Sequence, residues 1–174
     1  MSQPPTSAPP QITTIVPTFR RPKLLKRAIE SALRQTYPHL RVCVYDNASG
    51  DETADVVAAL KKDDPRVVYH CHPQNIGALS NFNYGLTHVE TPFFSLLSDD
   101  DILLPEFYET AMKGFADHPE AAFSATDVIV MNADGTYVGR SNARWKNGCY
   151  EPAQGLIAIF ENNTRTPTWT GILY

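Results

Sequence analysis

Short apolar, β-branched runs alternate with amphipathic stretches at helical spacing, and this alternation constrains the fold more than any other feature of the sequence. Residues 12–16, 42–45, 66–69 and 92–97 read as four short strands, the first stopped by Pro17. Between them, Leu24, Leu25, Ala28, Ile29, Ala32 and Leu33 recur at helical spacing behind Pro22, a residue tolerated in a first turn. Ser49-Gly50-Asp51-Glu52 has the spacing of a capping box, with Ser49 as N-cap of a helix carrying Val56, Val57 and Leu60. Leu79, Phe82, Leu86 and Val89 mark the inward face of a third helix, and Phe107, Ala111 and Phe115 that of a fourth. Further on, residues 121–131 read as one long strand region and Asn132-Ala133-Asp134-Gly135 as a hairpin turn. Leu156, Ile157 and Phe160 then predict a short helix, and residues 169–174 a last strand. Continuous apolar strands separated by helices predict an α/β fold, a mostly parallel central sheet with helices on both faces.

Residues 1–11, with Pro4, Pro5, Pro9 and Pro10, read as a flexible leader, and residues 12–174 as one domain. A net charge of −4 argues against nucleic acid, which selects a basic face. No apolar run approaches the roughly 20 residues of a membrane span, and the N-terminus lacks the regions of a signal peptide. Three cysteines (Cys43, Cys71, Cys149) make an odd number and no disulfide framework. These features predict a cytoplasmic protein with reduced thiols, and leave peripheral attachment at the inner face of a membrane open.

In such sheets ligands bind outside the carboxyl ends of the strands. The segments that follow the four strands are Pro17-Thr18-Phe19-Arg20-Arg21, Asp46-Asn47-Ala48-Ser49, the loop to Asn75-Ile76-Gly77, and Ser98-Asp99-Asp100-Asp101. Three successive carboxylates repel one another unless a cation joins them, and a hard divalent ion would take their oxygens together with substrate phosphates. The same acids could instead cap the helix near Pro105. Asp46 can accept from a base N–H or ribose hydroxyls, or close an Asx-turn with Asn47 or Ser49. Asn75-Ile76-Gly77 offers backbone N–H groups to an anion, although a plain loop-to-helix turn explains it as well. Arg20 and Arg21 could reach phosphate or simply be solvated. In His70-Cys71-His72 the two imidazoles share a strand face opposite the thiol, which is a poor metal clip. Trp145 and Trp169 could stack on a sugar or belong to the core.

Taken in register, residues 15–22, Tyr45-Asp46-Asn47-Ala48-Ser49, Asn75-Ile76-Gly77 and Ser98–Asp101 with Pro105 resemble the family 2 glycosyltransferases of the Rossmann-like GT-A fold. Thr166-Pro167-Thr168-Trp169-Thr170-Gly171 resembles the start of that family's acceptor-side half. The resemblance implies that Pro17, Thr18, Phe19, Arg20, Asp46, Asn75, Gly77 and Asp99 hold a nucleotide, Asp46 through the base and Asp99 through ribose. It further implies Asp100 and Asp101 at a Mn²⁺ or Mg²⁺ ion, with Trp169 and Gly171 on the acceptor side. The donor would be a UDP-sugar, transferred with inversion to a saccharide or glycan acceptor in polysaccharide or cell-envelope biosynthesis. Asn81-Phe82-Asn83 stands where the family often has Ala-Arg-Asn, and Ser98 where many members carry a first acid. No acid matches the family's general base, which is expected beyond Tyr174 in a longer enzyme. The alternative is a nucleotide-sugar-binding module without catalysis. A dinucleotide oxidoreductase is disfavoured because no Gly-x-Gly-x-x-Gly follows the first strand.

Overall fold

The computed structural model describes residues 8–132, 134–140, 145–161 and 169–174, with the backbone alone at 160, 161 and 169. Four strands, β1 (Ile12–Thr18), β2 (Leu40–Asp46), β3 (Val67–Cys71) and β4 (Phe93–Leu96), pair in parallel in the order β3-β2-β1-β4. Helices α1 (Pro22–Leu33), α2 (Thr53–Asp63) and α3 (Ala78–Thr87) connect them, and α4 (Phe107–Asp117) follows β4. The sheet is extended by two short strands, β5 (Ser124–Ala125) and the last strand β8 (Ile172–Leu173), with β8 antiparallel to both β4 and β5. A separate hairpin pairs β6 (Ile129–Met131) with β7 (Tyr137–Arg140), and α5 (Pro152–Glu161) lies between β7 and β8 in the chain.

Strand periodicity sorts the core into two layers. Ile12, Val16, Leu40, Val42 and Val44 point to one face, where Leu25, Ala28, Ile29 and Ala32 of α1, Val57 of α2 and Tyr108 and Ala111 of α4 cover them. Ile15, Cys43 and Tyr45 point to the other, against Phe82 and Tyr84 of α3. Both faces of the central strands are therefore buried, which is why those strands read as unbroken apolar runs.

Several expectations are corrected. Pro17 does not stop β1, which continues to Thr18. Ile15 O accepts from Leu97 N–H, so alternate residues of β1 face β4, and β4 has ended where Pro17 would need a donor. The capping box does not form: α2 begins at Thr53, and Asp51 Oδ1 accepts from the Thr53 N–H at 3.0 Å, while Ser49 is buried elsewhere. Of the expected inward face of α3, Phe82 and Val89 pack against the sheet while Leu79 and Leu86 are exposed, and the buried positions of the helix are Asn81 and Gly85. A Cβ at Gly85 would lie 2.6 Å from Ile15 Cγ2, and larger side chains there would hold the helix away. Residues 121–131 divide between β5 and β6, which belong to different sheets. The expected last strand is a 3-10 turn, Trp169–Gly171, followed by β8.

Within the expected leader, Pro10 O accepts from the Tyr37 hydroxyl at 2.5 Å; residues 1–7 lie outside the described residues. So do Thr166, Pro167 and Thr168, and the Trp169 side chain. The three cysteines are free thiols, with Cys43 buried and Cys71 and Cys149 exposed. No helix among the described residues is long and apolar enough to cross a membrane.

Candidate functional site

From β1 the chain connects to β2 on one side of the sheet, while β4 pairs with β1 on the other; the crevice opens where the strand order reverses. Across it the Thr18 hydroxyl, at the end of β1, donates to Asp99 Oδ2 at 2.8 Å, just after β4. A cavity of about 300 Å³ lies at this edge, lined by Pro17, Thr18, Phe19, Arg21, Asn47 and Asn75, by Ala78, Asn81 and Phe82 of α3, and by Asp99. Of the residues expected to hold a nucleotide, Pro17, Thr18, Phe19, Asn75 and Asp99 meet on this wall.

Asp46 stands behind the wall, 2% exposed. Its Oδ1 accepts from the Ser49 N–H at 3.0 Å and the Ser49 hydroxyl at 2.6 Å, which is the turn-closing role. Its Oδ2 accepts from the Tyr69 hydroxyl at 2.6 Å; burial and this bond push the Tyr69 phenol far above its ordinary range. The turn thereby presents Asn47, next in sequence, to the cavity. Ser49 Oγ in turn accepts from the Arg20 N–H at 2.8 Å, and Arg20 Nε donates to Ser49 O at 3.1 Å. Arg20 sits at φ 57 and Ala48 at φ 60, left-handed conformations that side chains other than glycine rarely adopt. Two strained loops are thus tied to each other beside the cavity, the pattern of a site in which surrounding bonds hold a preset backbone.

Asn75 Oδ1 accepts from Asn47 Nδ2 at 3.0 Å and from the Gly77 N–H at 2.9 Å, and Asn47 Oδ1 accepts from the Ile76 N–H at 2.8 Å. The Ile76 and Gly77 N–H groups are therefore used within the loop; Gly77, at φ 85, shapes the turn into α3. Asn81 donates from Nδ2 to Tyr45 O at 2.9 Å, so its Oδ1 accepts from His72 Nε2, also at 2.9 Å. That bond fixes the His72 tautomer. The rings of His70 and His88 stack on Tyr84 at 4.7 and 4.0 Å, and His70 meets His72 edge-on at 4.8 Å. The two histidines of His70-Cys71-His72 are spent on this stack and on Asn81.

The acidic run shows what it can hold. Arg21 Nη1 lies 3.1 Å from Asp99 Oδ1 and 3.0 Å from Asp100 Oδ2, so two carboxylate oxygens converge on one cationic nitrogen. Burial raises the Asp99 carboxyl above its ordinary range, against the lowering effect of Thr18 and Arg21. Asp101 instead accepts from the Thr170 hydroxyl at 2.5 Å, tying the acidic run to the turn before β8. The donor set is all oxygen and anionic, and its focal point already carries a positive charge. It fits a hard divalent ion. Gly171 is held close: a Cβ there would meet Val128 Cγ2 at 2.9 Å. Trp145 packs edge-on against Tyr150 at 5.0 Å and is not on the cavity wall. Sequence reasoning did not place Asn47, Ala78 or Asn81 on the wall, nor pair Asn81 with His72; nothing in local spacing signals contacts made across the sheet edge.

Comparison with known proteins agrees with this architecture. The model of glycosyl transferase family 2 matches residues 13–173. The GalNAc(5)-diNAcBac-PP-undecaprenol beta-1,3-glucosyltransferase of Campylobacter jejuni is 41% identical over 106 residues, 60% of this chain and 34% of that protein. Chondroitin synthase of Pasteurella multocida is 29% identical over 129 residues, 74% of this chain and 13% of that protein. The chain thus spans about a third or less of the length of these relatives. Among solved structures, the mannosyltransferase PcManGT from Pyrobaculum calidifontis, in complex with GDP-Man and Mn²⁺, superposes with a TM-score of 0.57 at 25% identity, over 63% of this chain and 33% of that one. Residues 1–349 of S. aureus TarS superpose with a TM-score of 0.70 at 20% identity, over 94% of this chain and 46% of that one.

Proposed function

The chain belongs to glycosyl transferase family 2, and from that premise we propose that its sheet edge binds a nucleotide-sugar donor for metal-dependent, inverting transfer of the sugar to a saccharide or glycan acceptor. The observation that carries the reading is the convergence of Asp99 and Asp100 on one cationic nitrogen of Arg21, with Asp99 and Arg21 lining the cavity. Thr18, Phe19, Asn47 and Asn75 surround the nucleoside. Asp46, which lies behind them, keeps Asn47 in place through its bonds to Ser49. Asp99 and Asp100 hold Mn²⁺ or Mg²⁺, and Asp101 steadies the run through Thr170. The ion, when bound, neutralises charge developing on the departing diphosphate. An acceptor hydroxyl oxygen bonds to the anomeric carbon as the bond from that carbon to the diphosphate oxygen breaks, which inverts the centre; the hydroxyl proton passes to a general base, a role that none of the matched positions fills. Trp169 and Gly171 lie toward the acceptor.

The family resemblance favours a UDP-sugar, whereas PcManGT is seen with GDP-Man and Mn²⁺, so the base is a matter for direct titration. The kind of relative matched supports a place in surface polysaccharide or lipid-linked glycan assembly. Calorimetric titration of UDP and GDP, with Mn²⁺ and with EDTA, tests the reading. At least one nucleotide should bind about tenfold or more tightly with the ion. Asp100→Ala should remove that difference without unfolding the chain, because the Asp100 side chain is half exposed. Nucleotide affinity indifferent to both EDTA and Asp100→Ala would refute the assignment.

A further inference from the structure

We propose that Arg21 is an exchangeable counter-cation: its guanidinium holds the Asp99–Asp100 pair together while no ion is bound, and it gives up that place when a divalent cation enters. The inference rests on the metal-dependent reading above and adds to it a competition built into the chain. Nη1 alone serves both carboxylates, at 3.1 and 3.0 Å, and so sits at the point where an ion bridging them would have to be. Divalent ions of this class hold oxygens at about 2.0–2.2 Å, so the two carboxylates would close around the ion and leave no room between them for a second cation. Coulomb repulsion between ion and guanidinium points the same way.

Among the described residues, no other hydrogen bond or ion pair holds the guanidinium. Arg21 occupies the N-cap of α1 without making a side-chain cap bond, and its side chain is 51% exposed. Its neighbour Arg20 is different, being tied to Ser49 through backbone and Nε together. Arg21 also lines the cavity, so once released it stays beside the space a diphosphate would fill. A diphosphate offers it a new anionic partner, and guanidinium suits phosphate oxygens. Ion and nucleotide should therefore assist each other's binding, with Arg21 carrying part of the coupling: the ion frees the side chain and the nucleotide accepts it. Such coupling is reciprocal by thermodynamic necessity.

The test uses the full chain and follows free Mn²⁺ by its EPR signal during titration, with and without UDP. Arg21→Gln should bind Mn²⁺ alone about three- to tenfold more tightly than the wild type, a modest factor because the Arg21 side chain and its partner Asp100 are half exposed. The enhancement of Mn²⁺ affinity by UDP should shrink at least about threefold in that variant. Arg21→Lys, which keeps the charge, should fall between the two. Circular dichroism melts verify that each variant is folded. Arg21→Gln binding Mn²⁺ alone no more tightly than wild type would overturn the proposal. If Asp100→Ala still abolishes Mn²⁺ binding in that event, the metal site stands and only the exchange fails. If Mn²⁺ binding ignores Asp100→Ala as well, the metal-dependent reading and the exchange fall together.

Discussion

Replacing Gly85 with alanine tests whether α3 is positioned by close contact with the sheet. The added Cβ would lie 2.6 Å from Ile15 Cγ2 and 3.1 Å from two ring carbons of Tyr45. Carbon atoms rest at about 3.5–4.0 Å, so the helix or the strand must yield by roughly 1 Å. Ile15 is fully buried in β1, between β2 and β4. The helix is what moves. Overpacking of this kind costs about 1–3 kcal/mol, and the rigid neighbour places the cost in the upper half of that range. Alanine returns about 0.8–1.0 kcal/mol of helix propensity. The net loss is about 1–2 kcal/mol, which lowers Tm by about 2–8 °C in a chain of this size. Since α3 carries Ala78, Asn81 and Phe82 into the cavity, nucleotide affinity should fall with it. Thermal melts by circular dichroism and nucleotide titration on the same samples measure both effects. Leu79→Ala is the control, because Leu79 is 75% exposed on the same helix and should change Tm by little. A Gly85→Ala variant that melts at or above the wild type would show that the helix is free to relax, and the packing argument would be wrong.

Tyr108→Phe should lower stability by about 1–3 kcal/mol, read from denaturant midpoints, because the fully buried hydroxyl pairs with Thr14 Oγ1 and Ser95 Oγ at 2.6 Å each and both would lose that partner. That hydroxyl stays neutral at any ordinary pH, since burial pushes its pKa to about 12. Stability should also fall on acidification. Burial, and then His72 and His88 nearby, hold the His70 pKa below its usual 6.5, so the unfolded chain takes up the proton first and stability declines as pH drops through 6.5 toward the folded-state value. Melts between pH 8 and 5.5 should show the decline, and His70→Gln should flatten it.

The strands were legible because parallel strands covered on both faces have no polar side to interrupt their apolar runs. Ile12, Ile15 and Val16 serve two different core layers, yet in sequence they read simply as apolar. The inward face of α3 was not legible in the same way. Hydrophobic periodicity assigns the inward role to Leu79, Phe82, Leu86 and Val89; Phe82 and Val89 do pack against the sheet, whereas Leu79 and Leu86 are exposed and Asn81 and Gly85 are the buried positions of the helix. The part of the contact made by a missing side chain, at Gly85, carries no apolar signature.

Ser49 shows why the site was harder to read than the fold. Local spacing offers it as an N-cap three residues before Glu52, an arrangement worth about 1 kcal/mol to the helix. The structure instead gives its hydroxyl to Asp46 and its Oγ lone pair to the Arg20 N–H, and leaves the start of α2 to Asp51. Those partners are brought to Ser49 only by the parallel pairing of β1 with β2, which sets Thr18 opposite Asp46. A cap spent on its own helix would leave Arg20 at φ 57 with one bond fewer to hold it, and the Asp46 turn open. The residue types at the strand ends were therefore visible as chemistry, while their division between cavity wall (Asn47, Asn75) and supporting layer (Asp46, Ser49, Tyr69) depends on strand register. Register belongs to the sheet as a whole, so supporting residues look in sequence like the contacts they support.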